Sequence, residues 1–194
     1  MKIFNKTNLL WAVVLVAIYF LTSFLIDGRI ITPYYRTVLY WIGIYAILGA
    51  SLNIIIGITG QLSLGHAGFM SIGAYAAAII LRDQPDLTGL LIGMAVGVVI
   101  SAIVSFAVAM PTLRLKGDYL AIATLGVGEI IRIVILNMSI TNGASGISNI
   151  AKLVDFKLIY IFTVVLLMLS ANFKNSSIGR ACVSVREDEI AAEV

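Results

Sequence analysis

Gly89–Met110 reads GLLIGMAVGVVISAIVSFAVAM, with no charged residue and no alternation of polar and apolar positions. A bilayer core about 30 Å thick needs about 20 apolar residues in a helix to cross it, and this stretch supplies them. In lipid every backbone N–H and C=O must find its partner inside the protein, so only α-helices or a closed barrel can span. Barrel strands alternate apolar and polar residues, and these runs are unbroken, so they read as helices. Gly89, Gly93 and Gly97 recur every fourth position, a flat ridge against which a second helix packs closely. That ridge is a packing signal and carries no chemistry.

The rest of the chain follows the same solvent. Of 194 residues, 60% are hydrophobic and 12% charged, with mean hydropathy +1.04. A soluble domain is about 45–50% apolar and about 25% charged, so there is too little polar surface here to cover a water-soluble globule. The formal net charge of +3 offers no basis for nucleic-acid binding. The lone Cys182 excludes an internal disulfide framework.

Further spans are expected at Leu9–Ile26, Val38–Ile58, Tyr119–Met138 and, shorter, Leu158–Ala171. Leu9–Ile26 is longer than the apolar core of a signal peptide and no clear cleavage site follows it, so it reads as a retained span. Phe69–Leu81 is too short to cross alone and reads as a half helix. The expected fold class is all-α: a polytopic membrane helical bundle with a broken or re-entrant helix and roughly six full or partial crossings. Cytoplasmic loops carry the excess of Lys and Arg. An inside N-terminus places Lys2, Lys6, Arg114, Lys116, Lys174, Arg180 and Arg186 in the cytoplasm, and Arg29, Arg36, Arg82, Lys152 and Lys157 outside.

Thr59–Gly73, TGQLSLGHAGFMSIG, lies between two apolar segments and holds Gly60, Gly65, Gly68 and Gly73, with Gly57 just ahead of it. Each glycine in a helix interior costs about 1 kcal/mol relative to Ala, so such a cluster points to a helix break. Irregular backbone at membrane depth survives where protein buries it or where it lines a wet cavity, and transporters place broken helices near the midplane. A Gly-rich loop at the membrane surface is the competing reading. His66 is the only histidine. It reads either as a proton relay or as a polar group satisfying the freed backbone of the break. A metal site is poorly supported without neighbouring ligands. Glu129 and Arg132 are spaced i, i+3 and share a helix face. They read as a polar wall of a translocation route, as a structural ion pair, or as a helix end near the interface. In each case they are expected to face protein or water, not lipid. Gln61, Ser63, Gly65, His66, Gly68, Glu129 and Arg132 are thus the candidate pathway residues.

Asn142–Gly146, NGASG, is a turn-rich loop on the expected outer side. It reads as a connector or as a contact for an external partner. Residues 172–194 turn polar, and Ala181, Val185 and Ile190 fall on one helical stripe beside Arg186, Glu187, Asp188 and Glu189. Such a segment reads as a docking element for a soluble partner or as a solvated connector. No Walker A pattern, Gly-x-Ser-x-Gly elbow or His-Glu-x-x-His occurs, so the chain is not expected to be an enzyme.

Gly60–Phe69 followed by Ile72–Tyr75, then Gly117–Gly126 with Gly128–Arg132, then Thr141–Ile147, and finally Gly179–Ala181 with Arg186–Ala192, together resemble the LivM-type permeases of branched-chain amino-acid ABC transporters. The blocks run in the family's order over nearly the whole chain. The resemblance implies a permease domain over residues 1–194 in the cytoplasmic (inner) membrane of a prokaryote, with residues 172–194 as its cytoplasmic coupling segment. It implies Gly179, Arg180, Arg186, Glu187, Asp188 and Glu189 as ATPase-coupling residues. It also implies a second, LivH-like permease, two cytoplasmic ABC ATPases that use the ATP, and an extracytoplasmic substrate-binding protein. No cofactor is expected in this chain. Val183 stands where the family commonly has a basic residue, and the family continues past the position of Val194, which implies a C-terminally shortened permease. Urea or short amides are the alternative cargo. An ion-coupled carrier using Glu129, Arg132 and His66, or a non-transporting scaffold, are the readings from other classes.

Overall fold

The computed structural model describes residues 6–28, 31–112, 114–115 and 117–187. Among them all regular structure is helical: α1 Lys6–Asp27, α2 Pro33–Asn53, α3 His66–Asp83, α4 Leu87–Thr112, α5 Asp118–Asn137, α6 Phe156–Asn175 and α7 Ser177–Glu187. A π-turn, Ile54–Ile58, prolongs α2, and a single 3-10 turn occupies Gly143–Ser145. Among the described residues four stretches are long and apolar enough to cross a membrane, Pro33–Ile58, Leu87–Thr112, Asp118–Asn137 and Phe156–Asn175, and Val14–Ile26 forms a shorter apolar helix. The protein is therefore an all-α, multi-pass membrane protein.

The surface agrees with lipid as solvent. Phe20, Phe24, Val98, Phe106 and Ile122 each leave more than 60% of their surface uncovered, a pattern that would drive a soluble domain to aggregate.

The element ends refine the sequence reading. α3 starts at His66 rather than Phe69 and runs to Asp83, for 18 residues. At 1.5 Å per residue that is about 27 Å, longer than the expected half helix. α6 gains Phe156 and Lys157 at its start and Asn172–Asn175 at its end. Pro111 does not stop α4, which continues to Thr112; helices usually end before a proline, but this one lies only in the last turn.

Two compact units emerge, Met1–Ile54 with Val154–Ala181, and Ile55–Leu153 with Cys182–Val194. In the first, α2 and α6 pack along their length and α1 touches α6. Tyr160 donates its hydroxyl proton to the Leu15 carbonyl at 2.7 Å, and its ring lies 5.4 Å from Tyr19 and 6.0 Å from Phe156. A tyrosine hydroxyl within a membrane needs such an acceptor, since the hydrocarbon interior offers no water to replace it.

In the second unit α3 is the central helix, flanked by α4 and α5. Two of the three ridge glycines of α4 do what their spacing predicts: a Cβ on Gly93 would come within 2.8 Å of the Ala77 Cα, and one on Gly97 within 3.1 Å of the Gly73 Cα, whereas one on Gly89 would meet Gln84 in the α3–α4 turn. α4 and α5 touch each other far less than either touches α3. They leave between them an apolar hollow of about 380 Å³, floored by Ile72, Tyr75 and Ile79.

The Asn142–Gly146 loop closes on itself. Asn142 adopts a left-handed backbone, φ 62°, and its side-chain amide donates to the Gly146 carbonyl at 3.1 Å.

Candidate functional site

The helix break lies where the glycine cluster predicts it. After Asn53 the backbone widens into the π-turn Ile54–Ile58, helix stops, residues 59–65 carry no regular structure, and α3 begins at His66. The stop has a local cause. Thr59 returns its hydroxyl to the Ile55 carbonyl at 2.5 Å, and the Gln61 N–H reaches the same carbonyl at 3.3 Å. Gly60 turns left-handed, φ 71°, a conformation that costs a side-chain-bearing residue about 1 kcal/mol or more. The interruption therefore follows directly on the membrane-length helical stretch Pro33–Ile58.

The second half of the break is fastened to α5. The Leu64 N–H donates to Thr124 Oγ1 at 3.0 Å. A Cβ on Gly65 would overlap the Thr124 carbonyl oxygen at 2.5 Å, and one on Gly68 would stand 2.8 Å from the Gly128 Cα. Gly65 and Gly68 are buried for that reason, and they set the distance between α3 and α5 rather than presenting a polar surface. Gln61 is exposed, while Ser63 and His66 are half-buried. Among the described residues no three His, Cys, Asp or Glu side chains converge as metal ligands would.

Glu129 and Arg132 form the ion pair expected from their spacing. Arg132 Nε lies 2.9 Å from Glu129 Oε2 and Nη2 lies 2.5 Å from Oε1, a two-pronged contact. Both side chains are more than half exposed, 51% and 59%. The pair thus occupies a face of α5 that its own unit leaves open. It follows Gly128, which packs on Gly65, so break and ion pair share one helix as their support.

The tail residues separate into distinct settings. Ser176 caps α7, its hydroxyl accepting the Gly179 N–H at 3.0 Å. A Cβ on Gly179 would collide with the Phe173 carbonyl, so this glycine is explained by the tight α6–α7 turn. Arg180 donates to the Asn175 carbonyl at 2.6 Å. Arg186 donates to the Gly57 carbonyl at 2.5 Å and pairs with Glu187. Asp188 and Glu189 lie outside the described residues, as does Ile190 of the proposed stripe. Thr124, Gly128 and the Arg186–Gly57 contact escape the pathway reading. The only signal in the sequence is a threonine and a glycine inside a largely apolar span, which spacing alone does not distinguish from ordinary helix-packing residues.

Residues 34–194 match the family described as "Branched-chain amino acid transport system / permease component". The chain belongs to that family. Within it, the chain is similar to the protein named "High-affinity branched-chain amino acid transport system permease protein LivM" in Salmonella typhimurium (strain LT2), 38% identical over 183 residues, a match covering 76% of this chain and 43% of the relative. It is also similar to the protein of the same name in Escherichia coli (strain K12), 37% identical over 183 residues with the same coverage of each chain. This family member thus spans less than half the length of those curated relatives. No solved structure matches it significantly.

Proposed function

We propose that the chain forms the membrane pathway of an ATP-driven importer for branched-chain amino acids, in the cytoplasmic (inner) membrane of a prokaryote. The observation that carries this reading is the Gly-locked break between the π-turn and α3, set in a chain of the permease-component family. In this reading the break lies at membrane depth, where irregular backbone is tolerated if protein buries it or if it lines a wet cavity, and the exposure of Gln61 supports the wet route. Gln61, Ser63, Gly65, His66 and Gly68 form the route's broken segment. Glu129 and Arg132 form a charged stretch of its wall.

The chain has no ATPase site and no cofactor of its own in this reading. Two cytoplasmic ABC ATPases use ATP and act through residues 172–194, a second LivH-like permease completes the route, and an extracytoplasmic binding protein delivers leucine, isoleucine or valine. ATP then moves the permease between two forms by contacting them unequally, since a ligand shifts an equilibrium only by its differential affinity for the two states.

The test is uptake of labelled leucine by the reconstituted complex. Uptake that requires ATP, and that unlabelled isoleucine and valine suppress, is the expected result. Uptake that survives ATP depletion and collapses with the proton gradient would make the chain an ion-coupled carrier. Competition by urea or acetamide instead of leucine would move it to the amide-carrying permeases.

A further inference from the structure

Arg186 reaches the helix break from 129 residues away in sequence, its Nη1 donating to the Gly57 carbonyl at 2.5 Å. That carbonyl lacks its ordinary helical donor. An α-helix would send it the Gln61 N–H, four residues on, but here Gln61 donates to the Ile55 carbonyl, six residues back. The π-turn has displaced the ladder, and the guanidinium supplies a donor in its place. Gly60 makes room for the approach: a Cβ there would overlap the aliphatic stem of Arg186. Nη2 of the same guanidinium pairs with Glu187, so the cation is balanced on α7 while it reaches the break.

We propose that Arg186 is a latch joining α7 to the helix break, so that displacement of α7 and rearrangement at Gln61–Ser63 are a single event. This rests on the permease reading above, and it makes Arg186 a positioning residue rather than a direct contact for an ATPase. With the guanidinium in place, the π-turn is held at Gly57. With it withdrawn, the Gly57 carbonyl recovers a donor by taking back the Gln61 N–H, and the π-turn relaxes to α. That relaxation removes the extra residue of the bulge and shifts the following backbone by one position. π-bulges interrupt α-helices and frequently mark functional sites, and two discrete backbone arrangements are what a coupling element needs. Arg180 donates instead to the Asn175 carbonyl at the end of α6.

The experiment uses the chain in proteoliposomes, with the native thiol removed by Cys182→Ser and a reporter thiol introduced by Ser63→Cys. Labelling of the reporter by a small water-soluble maleimide is followed over time. Arg186→Gln is expected to change the labelling rate by about tenfold or more, the scale of one lost charge-assisted hydrogen bond. Arg186→Lys, which keeps a cation and a donor, is expected to stay much closer to the parent rate, and Arg180→Gln to leave it unchanged. An unchanged rate in Arg186→Gln overturns the latch, as does an equal effect of Arg180→Gln. Circular dichroism of each variant checks that helix content is intact. If Arg186→Gln unfolds, Gly60→Ala tests the same contact from the other side, and an unchanged rate there overturns the proposal.

With ATPase subunits co-reconstituted, a non-hydrolysable ATP analogue is expected to alter labelling of the reporter thiol at position 63 in the parent and not in Arg186→Gln. Loss of ATPase co-purification in Arg186→Gln would make the residue a docking contact and overturn the latch. The first arm needs neither ATP nor leucine. Failure of the importer reading therefore shows as absent uptake with the Arg186 effect intact, and failure of the latch as uptake intact with no Arg186 effect.

Discussion

Thr124 Oγ1 accepts the Leu64 N–H at 3.0 Å while donating its own proton to the Ala121 carbonyl at 3.0 Å. One hydroxyl thus ties the irregular backbone of the break to the regular ladder of α5. Thr124→Val keeps the volume and removes both bonds, leaving the Leu64 N–H without that acceptor. A net loss of about 1 kcal/mol is expected, read as a lower unfolding temperature in detergent. Thr124→Ser is expected to remain near the parent. A Val variant as stable as the parent would mean that water or another group already serves Leu64.

The glycines divide by what a methyl group would meet. A Cβ on Gly93 would crowd the Ala77 Cα at 2.8 Å, whereas one on Gly126 would meet nothing within 4 Å. Gly93→Ala must push α4 off α3, at a cost of about 1–3 kcal/mol. Gly126→Ala sits in an α-helix with free space around it and is expected to gain up to about 1 kcal/mol from helix propensity. Opposite shifts in unfolding temperature are expected. Equal shifts would show that the α3–α4 spacing is not set at this glycine.

Charge removal at Glu129 and Arg132 separates a packing role from a transport role. The two groups neutralise each other through a two-pronged contact on a largely apolar helix. Glu129→Gln alone leaves a cation with no carboxylate on its helix face, and Arg132→Gln leaves the reverse, so both single variants are expected to lower the yield of membrane-inserted protein. The double variant carries no charge and is expected to recover most of that yield. If the pair lines the route, the double variant transports poorly despite its recovery. Full uptake would leave the pair only a structural role. Membrane-fraction yield and labelled-leucine uptake, measured on the same preparations, make the comparison.

Periodicity and glycine spacing make four of the spans, the helix stop after Ile58 and the Gly93–Gly97 packing readable from the sequence, because each reports a local rule about backbone in lipid. Gly93 and Gly97 need only a partner helix, and α3 supplies Ala77 and Gly73. The relationships that are not readable all join distant positions. Nothing near Thr124 in sequence reveals that Leu64 lies beside it, 60 residues away. Arg186 reads as one charge of a solvated tail because its acceptor is a backbone carbonyl, which has no sequence signature. Gly179 resembles a coupling residue by family pattern, and its geometry also gives it a packing reason. Spacing pairs Glu129 with Arg132 as the structure does, yet spacing says nothing about what lies opposite their exposed face.

Two buried hydroxyls have opposite prospects. Thr141 is almost fully buried, at 2% exposure, and its Oγ1 lies 2.5 Å from the Ile135 carbonyl and 2.9 Å from the Met138 carbonyl. Its single proton is best placed for the nearer, Ile135 carbonyl, whose other donor is the Met138 N–H at 3.4 Å, while the Met138 carbonyl also accepts the Gly143 N–H at 3.2 Å. Ser170 is also buried, on α6, and its Oγ has no hydrogen-bond partner among the described residues. Thr141→Val keeps the shape and removes the buried hydrogen bond, so it is expected to destabilise by about 1 kcal/mol. Ser170→Ala removes a polar atom that gains nothing from its surroundings, so it is expected to be neutral or to raise the unfolding temperature. Thermal unfolding of both variants in one detergent decides the matter. A Ser170→Ala variant that loses as much stability as Thr141→Val would show that its hydroxyl has an acceptor in the membrane-embedded protein.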